Sequence, residues 1–89
     1  VSMGPIAARK ARQIAQNVGN ILAIEALAAC QGVDLLAPLR PAPALSLVFD
    51  EIRKLSPAMP VDRSLSTDIR DLAKKIMAGG IVELCPMIA

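Results

Sequence analysis

Histidine, tryptophan and tyrosine are absent from this chain, and phenylalanine occurs once. Without histidine, no side chain has an ordinary titration range that spans neutral pH. No Ser–His or Cys–His pair can be assembled for nucleophilic catalysis. The commonest nitrogen ligand for zinc is missing too. Without aromatic rings, a basic patch lacks the stacking platforms that single-stranded nucleic acid requires. An excess of either charge is also lacking: ten Lys and Arg against eight Asp and Glu leave +2. That is too little for the electrostatic footprint of a nucleic-acid binder. The single basic cluster, Arg9, Lys10 and Arg12, reads as a solvated helix face, so no nucleic-acid partner is expected.

Cysteine is scarce. Cys30 and Cys85 are too far apart for metal-ligand spacing and read as free, buried thiols of a reducing cytosol. No glycine-rich phosphate loop precedes a helix; Gly79 and Gly80 follow one, in the position of a C-terminal cap. No metal, cofactor-binding or catalytic residues are therefore expected. Long apolar runs are missing as well. The longest, ILAIEALAAC over 21–30, contains Glu25 and falls short of the ~20 residues a membrane span needs. The N-terminus has no charged segment ahead of an apolar run. The expectation is a cytoplasmic chain with no membrane partner.

Aliphatic side chains make up most of what is present. Hydrophobic residues are 54% of the chain, mostly Ala, Leu and Ile, a composition suited to close helix packing and of little use to a β-sandwich. An 89-residue domain buries only about 60% of its unfolded surface. So much apolar side chain implies a face that other protein must cover.

The pattern predicts an all-α chain of one long helix followed by two shorter ones. The first spans about 5–31. Pro5 suits its first turn, Gly32 its stop, and Ala7, Ala11, Ile14, Ala15, Val18, Ile21, Leu22 and Ala29 recur at helical period. Its second half is apolar on nearly every side, the signature of a buried helix. The second helix spans about 43–55, with a stripe of Leu45, Val48, Phe49, Ile52 and Leu55 and an Asp50–Lys54 pair one turn apart. The third spans about 66–78, with Ser66 as N-cap, a stripe of Ile69, Leu72, Ala73 and Ile76, and an Asp71–Lys75 pair. Glu25, set among Ile24, Ala26, Leu27 and Ala28, is expected to be a buried structural charge with a cationic partner, because an unpaired buried carboxylate is costly.

Four blocks, in order, carry a resemblance. The opening VSMGPIAARKA resembles the stretch that follows the active-site glutamate of the aromatic amino-acid ammonia-lyases of the histidine type. NILAIEALAACQGVDL is similar to that family's next long helix. PLRPAPAL resembles its Pro-Leu-Lys-Pro-Ser-Pro-Ala-Leu, and DRSLSTDI its Asp-Arg-x-Leu-x-x-Asp-Ile before the last helix. The blocks span most of residues 1–81. The resemblance implies that the whole chain, 1–89, is the C-terminal helical segment of a mostly helical, tetrameric lyase. That enzyme would eliminate ammonia from histidine to give urocanate, using an electrophile built from an internal Ala-Ser-Gly. This chain contains no Ala-Ser-Gly. No catalytic residue carries over, and Val1, Ser2 and Met3 are the positions the resemblance places nearest the active site. Ala42 stands where the family often has Ser, which removes a helix N-cap. The implied role is helix packing and homo-oligomer formation through the long helix. Two alternatives are a segment of a phenylalanine or tyrosine ammonia-lyase or aminomutase, and a free-standing, non-enzymatic helical oligomerisation module.

Overall fold

The computed structural model describes residues 3–58 and 63–84. They form three α-helices, α1 (Gly4–Leu35), α2 (Pro43–Leu55) and α3 (Ser66–Met77), followed by a single 3-10 turn at Val82–Leu84. The all-α reading and the order of one long helix before two short ones hold.

The helix boundaries follow from proline, glycine and side-chain anchoring. Pro5 lies in the first turn of α1 and Pro43 opens α2, where the missing N–H would have had no partner anyway. Helix α1 does not stop at Gly32, as the sequence suggests, but continues to Leu35. A helical glycine costs about 1 kcal/mol against alanine and ends a helix only where the backbone turns left-handed. Gly32 keeps a helical backbone, and Asp34, half a turn later, is fixed to Arg53 of α2. At α3 the N-cap is Leu65, not Ser66, and no side chain caps the helix. The other end matches its glycine signal closely. Gly79 adopts a φ of 84°. The Gly80 N–H reaches back to Lys75 O and the Gly79 N–H to Ile76 O, each at 3.0 Å. This is the paired capping geometry that left-handed glycine permits.

The core is small. Ala23, Leu27 and Cys30 of α1 meet Ile52 of α2 and Leu72 and Ala73 of α3, with Val48, Phe49, Leu55, Ile69, Ile76 and Ile81 packed around them. The predicted stripes of α2 and α3 largely face this core, apart from Leu45, which is exposed. The stripe predicted for α1 does not. Gly19, Ala23, Leu27 and Cys30 are the buried residues of α1, and they lie on the opposite side from Ile14, Val18 and Ile21. Small residues explain the choice. A Cβ on Gly19 would lie 3.1 Å from Met77 Cγ and 3.8 Å from Ala73 Cβ, so glycine lets α3 approach α1 closely.

Cys30 is buried with a free thiol; Cys85 lies outside the described residues. The molecule is a thin plate, 60 × 34 × 16 Å. Its radius of gyration of 15.7 Å exceeds the ~12 Å expected of 89 compact residues.

Candidate functional site

Three polar clusters hold the helices together. In the first, Arg53 of α2 bonds the Asp34 carboxylate at the end of α1 and donates to Ser56 O at 3.0 Å. Its guanidinium lies 5.5 Å from the centroid of the Phe49 ring, in cation–π range. Its Nε is buried and finds no acceptor among the described residues. In the second, the buried Ser56 hydroxyl donates to Asp68 Oδ2 at 2.5 Å. Arg63 pairs with the same oxygen at 2.8 Å and donates to Pro57 O at 3.1 Å. In the third, Glu51 accepts from Lys75 of α3 and from Lys54 at 3.2 Å. The one-turn pairs expected from sequence are replaced. Lys54 and Lys75 both go to Glu51, and Asp50 instead lies 3.6 Å from Arg40. Glu51 sits between the two lysines: Lys75 reaches it across from α3, and Lys54 reaches it from three positions along α2 instead of pairing with Asp50.

The electrostatics of these groups suit a structural role. Hydrogen bonds from Lys75 and then Lys54 hold the Glu51 carboxyl below its usual range. Those from Arg63 and Ser56 do the same for Asp68. Near neutral pH both are carboxylates engaged with cations, unsuited to giving up a proton. Burial pushes the Cys30 thiol up, with Arg53 partly opposing it, which leaves it a poor nucleophile. Among the described residues, no three His, Cys, Asp or Glu side chains gather to hold a metal ion.

Of the residues singled out from sequence, Met3 is the N-cap of α1 and is exposed, while Val1 and Ser2 lie outside the described residues. Glu25 corrects the reading made of it. It is exposed, because it sits on the side of α1 turned away from α3, and its apolar neighbours do not enclose it. Arg9, Lys10 and Arg12 are exposed as expected. Sequence reasoning missed Arg53, Asp34 and the Ser56–Asp68–Arg63 cluster. Arg53 and Asp34 are 19 positions apart and Ser56 and Asp68 are 12 apart, while Arg63 reaches Asp68 from a loop; no helical spacing signals any of these contacts.

The most extensive unpartnered feature is on α1. Ala7, Ala11, Ile14, Val18, Ile21, Glu25 and Ala28 succeed one another at alternating steps of four and three residues, and every one is exposed. This spacing keeps them on one face and is the repeat by which helices pair along their length. Ile14 is 62% exposed, Val18 46% and Ile21 54%. By length and composition alone α1 could cross a membrane, a property shared by helices buried in large soluble proteins. The whole chain presents 6593 Å² of accessible surface, roughly 1,600 Å² more than the ~5,000 Å² of a compact monomer of this mass.

The structure is an all-helical plate with one long helix whose apolar face is uncovered, and the sequence comparisons give its family. The aromatic amino acid lyase family matches residues 1–54, and the chain belongs to that family. Within it, the chain is 44% identical over 98% of its length to the histidine ammonia-lyase of Aromatoleum aromaticum. It is 43% identical over 92% to that of Sorangium cellulosum, and 44% identical over 91% to that of an Anaeromyxobacter species. The chain spans 16% of the length of each of these relatives. No solved structure matches it significantly.

Proposed function

We propose that this chain is the C-terminal helical segment of a histidine ammonia-lyase-like enzyme of the cytoplasm, and that it contributes helix packing and subunit assembly while the chemistry is done elsewhere in the enzyme. The observation that carries this reading is the identity of 44% over 98% of the chain to a histidine ammonia-lyase, joined to the uncovered stripe of α1. The whole enzyme would eliminate ammonia from histidine to give urocanate, a reaction of histidine breakdown. The electrophile that this reaction requires derives, by the family resemblance, from an Ala-Ser-Gly. The chain contains none, so it holds no precursor of that group. Its carboxylates are held by lysine and arginine, and its described cysteine is buried. The segment alone should therefore show no turnover, and its contribution is to cover, and be covered by, other helices.

The test reads the gene. An open frame that continues upstream of Val1 through a glutamate and an Ala-Ser-Gly supports the proposal. A stop codon directly upstream of an expressed gene overturns it in favour of a free-standing helical module. Urocanate formation, followed by absorbance with the purified chain and histidine, should not exceed a buffer blank. Turnover above it would overturn the assignment of the chemistry to another part of the enzyme.

A further inference from the structure

We propose that the groove between α1 and α3 at Gln16, Asn20, Arg70 and Lys74 binds an oxyanion, a phosphate or carboxylate group held by two cations and two side-chain amides. The inference does not depend on the assembly role proposed above.

The distribution of unpaired charge leads to this groove. The chain carries ten Lys and Arg. Arg40, Arg53, Lys54, Arg63 and Lys75 are engaged in ion pairs. The other five, Arg9, Lys10, Arg12, Arg70 and Lys74, are exposed and meet no carboxylate among the described residues. Two of them share one cavity. Arg70 and Lys74, a turn apart on α3, line a space of about 250 Å³ with Gln16 and Asn20 of α1, Ala73 and Met77. Past Asn20 and Arg70 the groove continues to Ser66. Arg9 and Arg12 precede Gln16 and Asn20 at steps of three and four residues, which places them on the same side of α1. Lys10 alone of the five falls on another side.

The chemistry of the lining selects the ligand. Like charges one turn apart on a helix repel, and an anion between Arg70 and Lys74 relieves that repulsion. The Arg70 guanidinium is a planar fork that matches two oxygens of a phosphate or carboxylate, and Lys74 adds a point charge. Gln16 and Asn20 can each turn an amide N–H toward the same anion. Asp71 does not line the cavity; it lies about 100° round α3 from Arg70. The space holds an oxyanion with several waters, since each water takes about 30 Å³. Such a group has two sources: a free oxyanion in solution, or an Asp or Glu side chain of the protein beyond this chain.

Inorganic phosphate is the probe. In the ¹⁵N-labelled 89-residue chain at an ionic strength of about 0.1 M, the side-chain amide signals of Gln16 and Asn20 should shift saturably with phosphate. Chloride at equal ionic strength should leave them in place. Arg70→Gln and Lys74→Gln should each weaken binding about tenfold or more, the loss expected of one charge-assisted hydrogen bond. Lys10→Gln should change it less than about twofold, because a charge on another side of the helix is screened. Circular dichroism of each variant should show unchanged helix content. Shifts that chloride reproduces, or that Lys10→Gln removes as fully as Arg70→Gln, would overturn the site. The source is read in the longer lyase proposed above, from the reaction of Arg70 with phenylglyoxal. Protection of Arg70 by phosphate assigns a free oxyanion. An Arg70 that stays unreactive, and whose replacement by Gln lowers the thermal midpoint, assigns a carboxylate of another segment. An Arg70 equally reactive with and without phosphate would overturn the site in that enzyme. None of these results bears on the assignment to the lyase family, which the gene reading tests separately.

Discussion

Arg53 joins more parts of this molecule than any other described side chain. It fixes the end of α1 through Asp34, closes α2 through Ser56 O, and lies over Phe49. The price is a buried Nε with no acceptor among the described residues. Truncation and an apolar replacement should therefore differ. Arg53→Ala loses the ion pair and the stem that packs on Phe49, and should cost about 2–3 kcal/mol in denaturant unfolding. Arg53→Met keeps much of the stem and removes the orphaned donor, and should cost about 1 kcal/mol less. Equal losses would mean that the stem does not contribute. The carboxylates set the acid limit. Asp68 and Glu51 hold protons less readily in the folded chain than in the unfolded one. The stability they confer is therefore complete above the unfolded values of about 4 and drains away as pH falls below them. Asp68→Asn should lower stability at neutral pH and flatten the acid limb of the stability–pH curve. An acid limb identical to that of the unaltered chain would exclude Asp68 as a source.

At the scale of the helices, two positions leave stability unclaimed. Gly32 is inside α1 with nothing within 4 Å of an added Cβ. Gly32→Ala should raise stability by about 0.5–1 kcal/mol, visible as a higher thermal midpoint by circular dichroism. Ala42 is the N-cap of α2 with φ −52° and ψ 153° and no side-chain cap. Ala42→Ser should add about 1 kcal/mol; no gain in midpoint would mean that the hydroxyl does not reach the first turn. The same helices show what a sequence can tell. Helix α2 is legible to the residue because Pro43 and a clean five-member stripe agree. Helix α3 ends where Gly79 and Gly80 say it should. Helix α1 is legible in kind but not in aspect. Apolar residues on nearly every side give no preference for a face, and the choice goes to Gly19 and Ala23, whose smallness admits α3. Glu25 was misread for that reason: its neighbours in sequence are apolar, but its neighbours in space are few. The contacts that Arg53, Asp68 and Glu51 make between elements, to Asp34, Ser56 and Lys75, stay hidden in the sequence because partners 12 to 24 positions apart leave no local pattern.

For the molecule as a whole, thinness governs behaviour. A plate 16 Å deep is little more than one helix thick at any point, since a helix with its side chains is about 10–12 Å across. Most apolar residues of α1 then have a single layer of protein behind them and solvent in front. The chain's solution behaviour should reflect this. If unfolding is linked to association, the thermal midpoint rises with protein concentration, as mass action requires when only the folded form binds its partner. A midpoint that does not move over a hundredfold range in concentration would show that the plate is stable alone.

Within α1 the residues from Gly4 to Val18 are exposed, apart from the half-buried Ala15, and burial begins at Gly19. One continuous helix is thus anchored over its second half and held over its first only by its own backbone. Its amide protons should exchange with deuterated solvent on two different clocks. Those of the second half would open only with the core. Those ahead of Gly19 would open without the core, since an isolated helical stretch of this length is marginal in water. Raising the concentration should slow the fast set if a second chain lies along it, and leave the slow set unchanged.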